Sequence, residues 1–141
     1  MATNVVATVL NESQAKILVH YLITSDGVDG EITNLIILDP QTGFAPPLNG
    51  DQLKYPFLQC TILQIWEQGS WFDMVLSFNA AAPLPVWVCN RDGSNYYDFR
   101  YFGGLKDRSQ QDADGKVLLT TNGLDGTALS IGTLVIEFKK D

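Results

Sequence analysis

"WFDMVLSFN", residues 71–79, decides the fold class. Phe72, Met74, Leu76 and Phe78 fall on one side of this stretch, and Asp73, Val75, Ser77 and Asn79 on the other. Side chains alternate across a β-strand, whereas a helix brings apolar residues back every third or fourth position. The stretch is therefore a half-buried strand. The C-terminal "GTLVIEFKKD", residues 132–141, repeats the pattern, with Leu134, Ile136 and Phe138 inward and Val135, Glu137 and Lys139 outward.

The same reading places strands over residues 4–10, 15–24, 31–38, 57–67, 85–90, 96–102 and 116–121, with a further one near 127–131. Turn-forming Asp, Gly and Pro separate them, and no ten-residue segment carries a helical period. "QGS" at 68–70 predicts a hairpin that joins 57–67 to the strand beginning at Trp71. Eight or nine short strands of this kind predict an all-β protein, a single antiparallel β-sandwich of jelly-roll-like form over residues 1–141. Two irregular segments interrupt it, 39–55 and 103–115. A loop as long as the first, inside a compact domain, usually has a task.

Composition narrows the function. Charged residues make up 18% of the chain, below the usual value of about 25%, which implies that partners cover some of the surface. The net charge is −7 and the nine basic residues are scattered, so nucleic acid is not the expected partner. "MATNVVATVL" lacks the basic start and cleavage site of a signal peptide, and no apolar run is long enough to span a membrane. The chain is therefore expected to be made in a cytoplasm. Cys60 and Cys89 lie in strand-like runs and read as buried reduced thiols; a disulfide requires that their strands face each other.

No catalytic constellation stands out. His20, the single histidine, sits mid-strand, and there is no Gly-x-Ser-x-Gly elbow for it to serve. Asp26, Asp29 and Glu31, and separately Asp112 and Asp114, fall in Asp-Gly segments that read as tight turns, with calcium ligation as the other use of such carboxylates. Glu67 and Asp73 are the polar members of the supposed hairpin, which makes them a solvated face rather than a pair of glycosidase acids. No enzyme activity, metal or cofactor is expected. Trp66 and Trp71 flank a turn and would suit a carbohydrate-binding platform if exposed, whereas Trp87 lies between Val86 and Val88 and reads as buried.

The richest segment is "NYYDFRYFGGLKD", residues 95–107. As one continuous strand it directs Tyr97, Phe99 and Tyr101 to the core and Tyr96, Asp98, Arg100 and Phe102 outward, with Phe102 emerging beside Gly103 and Gly104. "MATNVV" at 1–6, "LDP" at 38–40, "PVWVCN" at 85–90, "FRYFGGL" at 99–105, "GKVLLTTNG" at 115–123 and "TLVIEFKKD" at 133–141 occur in that order. In these pieces the chain resembles the small virion structural proteins of tailed bacteriophages, of the type that decorates or cements a capsid. The polar loop "KDRSQQDADG", residues 106–115, departs from the Asn/Gly-rich loop of that family.

The resemblance implies a jelly-roll-like sandwich located in the virion, bound to the major capsid protein. It also implies a homodimer or another symmetric oligomer, whose N- and C-terminal strands would pair across the symmetry axis. Under that reading the apolar anchors are Phe102, Gly103, Gly104 and Leu105, with Arg100 as polar partner, together with Phe44, Pro46, Pro47 and Leu48 in the long loop. The other reading of that loop is a proline-stiffened plug over one end of the sandwich.

Overall fold

The computed structural model describes residues 4–25, 32–44, 48–50, 52–68, 72–90, 94–106, 114–123 and 130–141. Among these, eleven strands occur: β1 Asn4–Glu12, β2 Lys16–Ser25, β3 Leu35–Leu38, β4 Asn49–Gly50, β5 Cys60–Gln68, β6 Asp73–Phe78, β7 Leu84–Cys89, β8 Ser94–Asp98, β9 Leu105–Lys106, β10 Val117–Asn122 and β11 Ser130–Lys140. They form a larger sheet, in the order β4-β1-β2-β11-β5-β8 with β9 also on β5, and a smaller sheet in the order β3-β10-β6-β7. Every pairing between named strands is antiparallel except the short parallel contact of β1 with β4.

From β2 onward the chain crosses repeatedly between layers. β2, β5, β8 and β11 lie in the larger sheet; β3, the β6–β7 hairpin and β10 lie in the smaller. The core orders β2-β11-β5-β8 and β3-β10-β6-β7 are those of a jelly roll, two Greek keys wrapped face to face. The sandwich expected from the period-two pattern is therefore the observed one.

Alternation builds the core. Phe72, Met74, Leu76 and Phe78 on one sheet, and Leu134, Ile136 and Phe138 on the other, are all fully buried. Burying a side chain of this size contributes roughly 1.5–3 kcal/mol. Tyr21 is also fully buried, and its hydroxyl donates to the Ile37 carbonyl at 2.9 Å, a hydrogen bond from the larger sheet to the smaller. Burial raises the Tyr21 phenol well above its ordinary pKa, with the nearby Cys60 adding to the shift. Cys60 and Cys89 are both buried, and no disulfide joins them.

Four expectations change. The 57–67 and 71–79 segments form no hairpin, because β5 belongs to the larger sheet while β6 pairs with β7 and β10 in the smaller. The C-terminal strand is not an edge: β11 is held on both sides, by β2 and β5, and cannot pair across a symmetry axis. The strand expected near 127–131 is not separate, since Ser130 and Ile131 begin β11; 127–129 lie outside the described residues. The strand expected over 96–102 stops at Asp98, and Arg100–Phe102 form one 3-10 turn.

Candidate interaction surface

The 3-10 turn sits where β8 ends. Phe99 is buried, its amide donates to the Leu63 carbonyl at 2.9 Å, and its own carbonyl accepts from the Gly104 amide at 2.8 Å. The intervening residues are thereby pushed out of the sandwich: Tyr101 is 97% exposed and Phe102 68%. Tyr101 is thus a surface residue, not the core residue that a continuous strand would make it. The Phe102 ring meets Phe99 edge-on at 6.0 Å. Phe99 in turn meets Trp87 of the facing sheet at 4.7 Å, so the exposed ring is backed by a packed aromatic wedge.

Gly103 and Gly104 hold this turn, with φ of 86° and 91°. At Gly104 a side chain is excluded twice over, because a Cβ would lie 2.4 Å from Thr61 Cγ2 and 2.9 Å from the Ile62 carbonyl oxygen. Leu105 follows as β9, paired with Ile62 and half-buried. Arg100 is committed to its neighbour: Nε and Nη2 donate to the two Asp98 carboxylate oxygens at 2.9 and 2.8 Å. These bonds hold the Asp98 carboxyl well below the usual carboxylate range and raise the Arg100 guanidinium.

The long loop does the opposite. Phe44 is 6% exposed and Leu48 2%, and both belong to the core; Phe44 packs edge-on to Tyr21. The two are therefore core residues rather than exposed anchors. Pro46 and Pro47 lie outside the described residues. A buried ion pair ties the later part of the loop down. Lys140 Nζ donates to Glu12 Oε2 at 2.8 Å and to the Tyr55 carbonyl at 2.9 Å, and both charged side chains are 2% exposed. Glu12 also accepts from the Lys54 and Tyr55 amides. Burial pushes the Glu12 carboxyl up, and the Lys140 bond with the two amides outweighs it, leaving a lowered pKa.

The outward face of the larger sheet carries a second feature. In register, Trp66 lies between Val135 and Tyr96, and Gln68 between Thr133 and Ser94. Trp66 and Tyr96 are stacked with ring centroids 5.2 Å apart, and both are exposed. A cleft of about 350 Å³ opens beside them. Trp66 is thus exposed, but within β5 and not at a hairpin turn. Trp71 lies outside the described residues. Trp87 is half-buried at the boundary between the sheets.

Glu67 is not on a solvated face. The register of β5 against β11 shifts at Leu63, and the extra residue resets the alternation so that Ile65 and Glu67 turn inward, opposite Ile136 and Leu134. Glu67 is 4% exposed; its Oε1 accepts from Asn95 Nδ2 at 2.8 Å. Its Oε2, like Trp87 Nε1, is buried with no hydrogen-bond partner among the described residues. Burial, with the Glu67 carboxylate nearby, raises the Cys89 thiol far above its ordinary value, which disfavours the thiolate. Asp73 pairs across to Asn122 in the other sheet, remote from Glu67 in topology. His20 is half-buried mid-strand in β2.

Asp114 is ion-paired with Lys116 at 3.4 Å and accepts from Asn79 at 2.9 Å; Asp26, Asp29, Glu31 and Asp112 lie outside the described residues. Among the described residues no group of three His, Cys, Asp or Glu side chains is placed to hold a metal ion. Comparison with known proteins found no matching family model, no matching curated protein and no matching solved structure.

Proposed function

We propose that the chain is a structural protein of a tailed-phage particle that binds the assembled capsid and stabilises it. The observation that carries this reading is the pair of aromatic rings at Tyr101 and Phe102, held out of the sandwich by a turn that closes on two positive-φ glycines, of which Gly104 has no room for a side chain. Rigid, exposed aromatic residues are the usual anchors of protein interfaces, since they lose little entropy when a partner closes over them. The low charge content and the ordered set of sequence pieces shared with the decoration type of phage protein support it. The jelly roll itself does not choose, because capsid and lectin domains share that architecture.

The mechanism is differential binding. A chain that prefers the assembled lattice to free capsid subunits shifts the equilibrium toward the lattice by mass action. Repeated lattice sites let modest individual affinities accumulate. The test is co-sedimentation of the purified chain with assembled capsids of its particle, beside free capsid subunits. Binding selective for capsids, reduced at least tenfold by Tyr101→Ala with Phe102→Ala, is the expected result. Equal binding to free subunits, or unchanged binding by a folded double variant, overturns the assignment. The alternative place, in the tail or neck of the same particle, is separated from the capsid by cryo-electron microscopy of the particle.

A further inference from the structure

We propose that the cleft beside Trp66 is a binding site for a neutral saccharide, separate from the Tyr101–Phe102 turn and independent of the capsid reading. Two rows of side chains run side by side across the larger sheet. One is apolar and aromatic, Val135–Trp66–Tyr96; the other is polar and uncharged, Thr133–Gln68–Ser94. Successive outward positions on a strand stand roughly 7 Å apart, so one sugar ring with its substituents spans both rows. A pyranose has the matching chemistry, with a C–H face that lies on an indole and a rim of hydroxyls that needs amides and hydroxyls.

Gln68 and Ser94 of the polar row are exposed. Among the described residues, the Gln68 amide and the Ser94 hydroxyl make no intramolecular hydrogen bond. Thr133 Oγ1 uses its proton on the Gln68 carbonyl at 3.3 Å and keeps its lone pairs. Neither row contains a charged side chain. Glu67 also borders the cleft, but its carboxylate is buried and bound to Asn95 rather than offered at the surface. An ionic ligand would find no counter-charge in the two rows, and an anionic one would also meet a chain of net charge −7. The cleft is shallow and its volume, about 350 Å³, suits one or two sugar units.

The experiment titrates ¹⁵N-labelled full-length chain with neutral oligosaccharides built on glucose, galactose, mannose and N-acetylglucosamine. Sialylated oligosaccharides and a proline-rich peptide serve as comparison ligands. The expected result is a shift of the Trp66 indole N–H by at least one neutral sugar. Trp66→Ala should weaken that affinity at least tenfold and Gln68→Ala about threefold to tenfold. Gln68 is an exposed residue at the end of β5, so its variant retains the fold if the Trp66 variant does not. The proposal is overturned if no neutral sugar binds up to about 10 mM, well above a weak millimolar site. Binding of the sialylated sugars or the peptide alone overturns it, as does neutral-sugar binding that folded Gln68→Ala leaves unchanged together with no movement of the Trp66 resonance.

Discussion

Two irregular segments of this chain carry aromatic residues, and they do opposite things with them. The long loop after β3 turns Phe44, Leu48 and Phe57 into the sandwich. The short turn after β8 buries only Phe99 and leaves Tyr101 and Phe102 outside. Length and attachment account for the difference. A long segment can lie back over an open end and gain the burial of its apolar side chains. The six-residue connection 99–104 between β8 and β9, both fixed on β5, has little slack to fold back. Exposed apolar character on a constrained turn therefore points to a partner, whereas the same character on a long loop points to the core.

The comparison breaks most sharply in stability. Phe44→Ala should cost about 3–5 kcal/mol, as a large-to-small change in the core, and lower the urea midpoint accordingly. Phe44 as a dispensable surface anchor would instead leave that midpoint in place. Lys140→Ala should cost a similar amount, about 3–5 kcal/mol, because it leaves Glu12 buried without its cation. Replacing both partners, Glu12→Leu with Lys140→Met, should recover most of this loss, and a double-mutant cycle checks it.

The same pair sets an acid limit. The folded pKa of Glu12 is lowered from the ordinary 4.5, so its stabilising contribution is complete above that value and is lost as pH falls through the folded pKa. Denaturation followed against pH should therefore show stability falling below about pH 4.5, with that part of the fall absent in the Glu12→Leu, Lys140→Met variant.

Gly104→Ala comes next, at about 1–3 kcal/mol, since the new Cβ meets Thr61 and the Ile62 backbone at a positive φ. Smallest in stability is Phe102→Ala, expected within about 1 kcal/mol of the parent, yet the proposed function expects of it the largest loss of capsid binding. A Phe102 variant that unfolds readily and still binds would reverse the two roles and undo the contrast between turn and loop.

Much of the sandwich was legible because alternation is a local property. Residues 72–78 and 134–138 display their inward faces without reference to anything else, and the structure buries every residue of those faces, although Ser77, expected outward, is buried as well. The exposure of Phe102 beside Gly103 and Gly104 was legible for a similar reason, through the glycine pair. Tyr101 was misread because a 3-10 turn begins at Arg100, and the aromatic run gives no local sign of where its period of two ends. Glu67 was misread because one extra residue in β5 reverses the inward and outward assignment, and only the pairing with β11 reveals it.

By itself, then, the sequence determined that strands of alternating polarity would pack as two layers, since each residue's face follows from its immediate neighbours. The tertiary structure alone decided which sheet received each strand, which loop closed the end and which charges met. Glu12 and Lys140 are 128 residues apart, yet share one hydrogen bond in the interior. No local pattern encodes such a contact, because it exists only after the crossings of the jelly roll have brought both ends of the chain beneath the same loop.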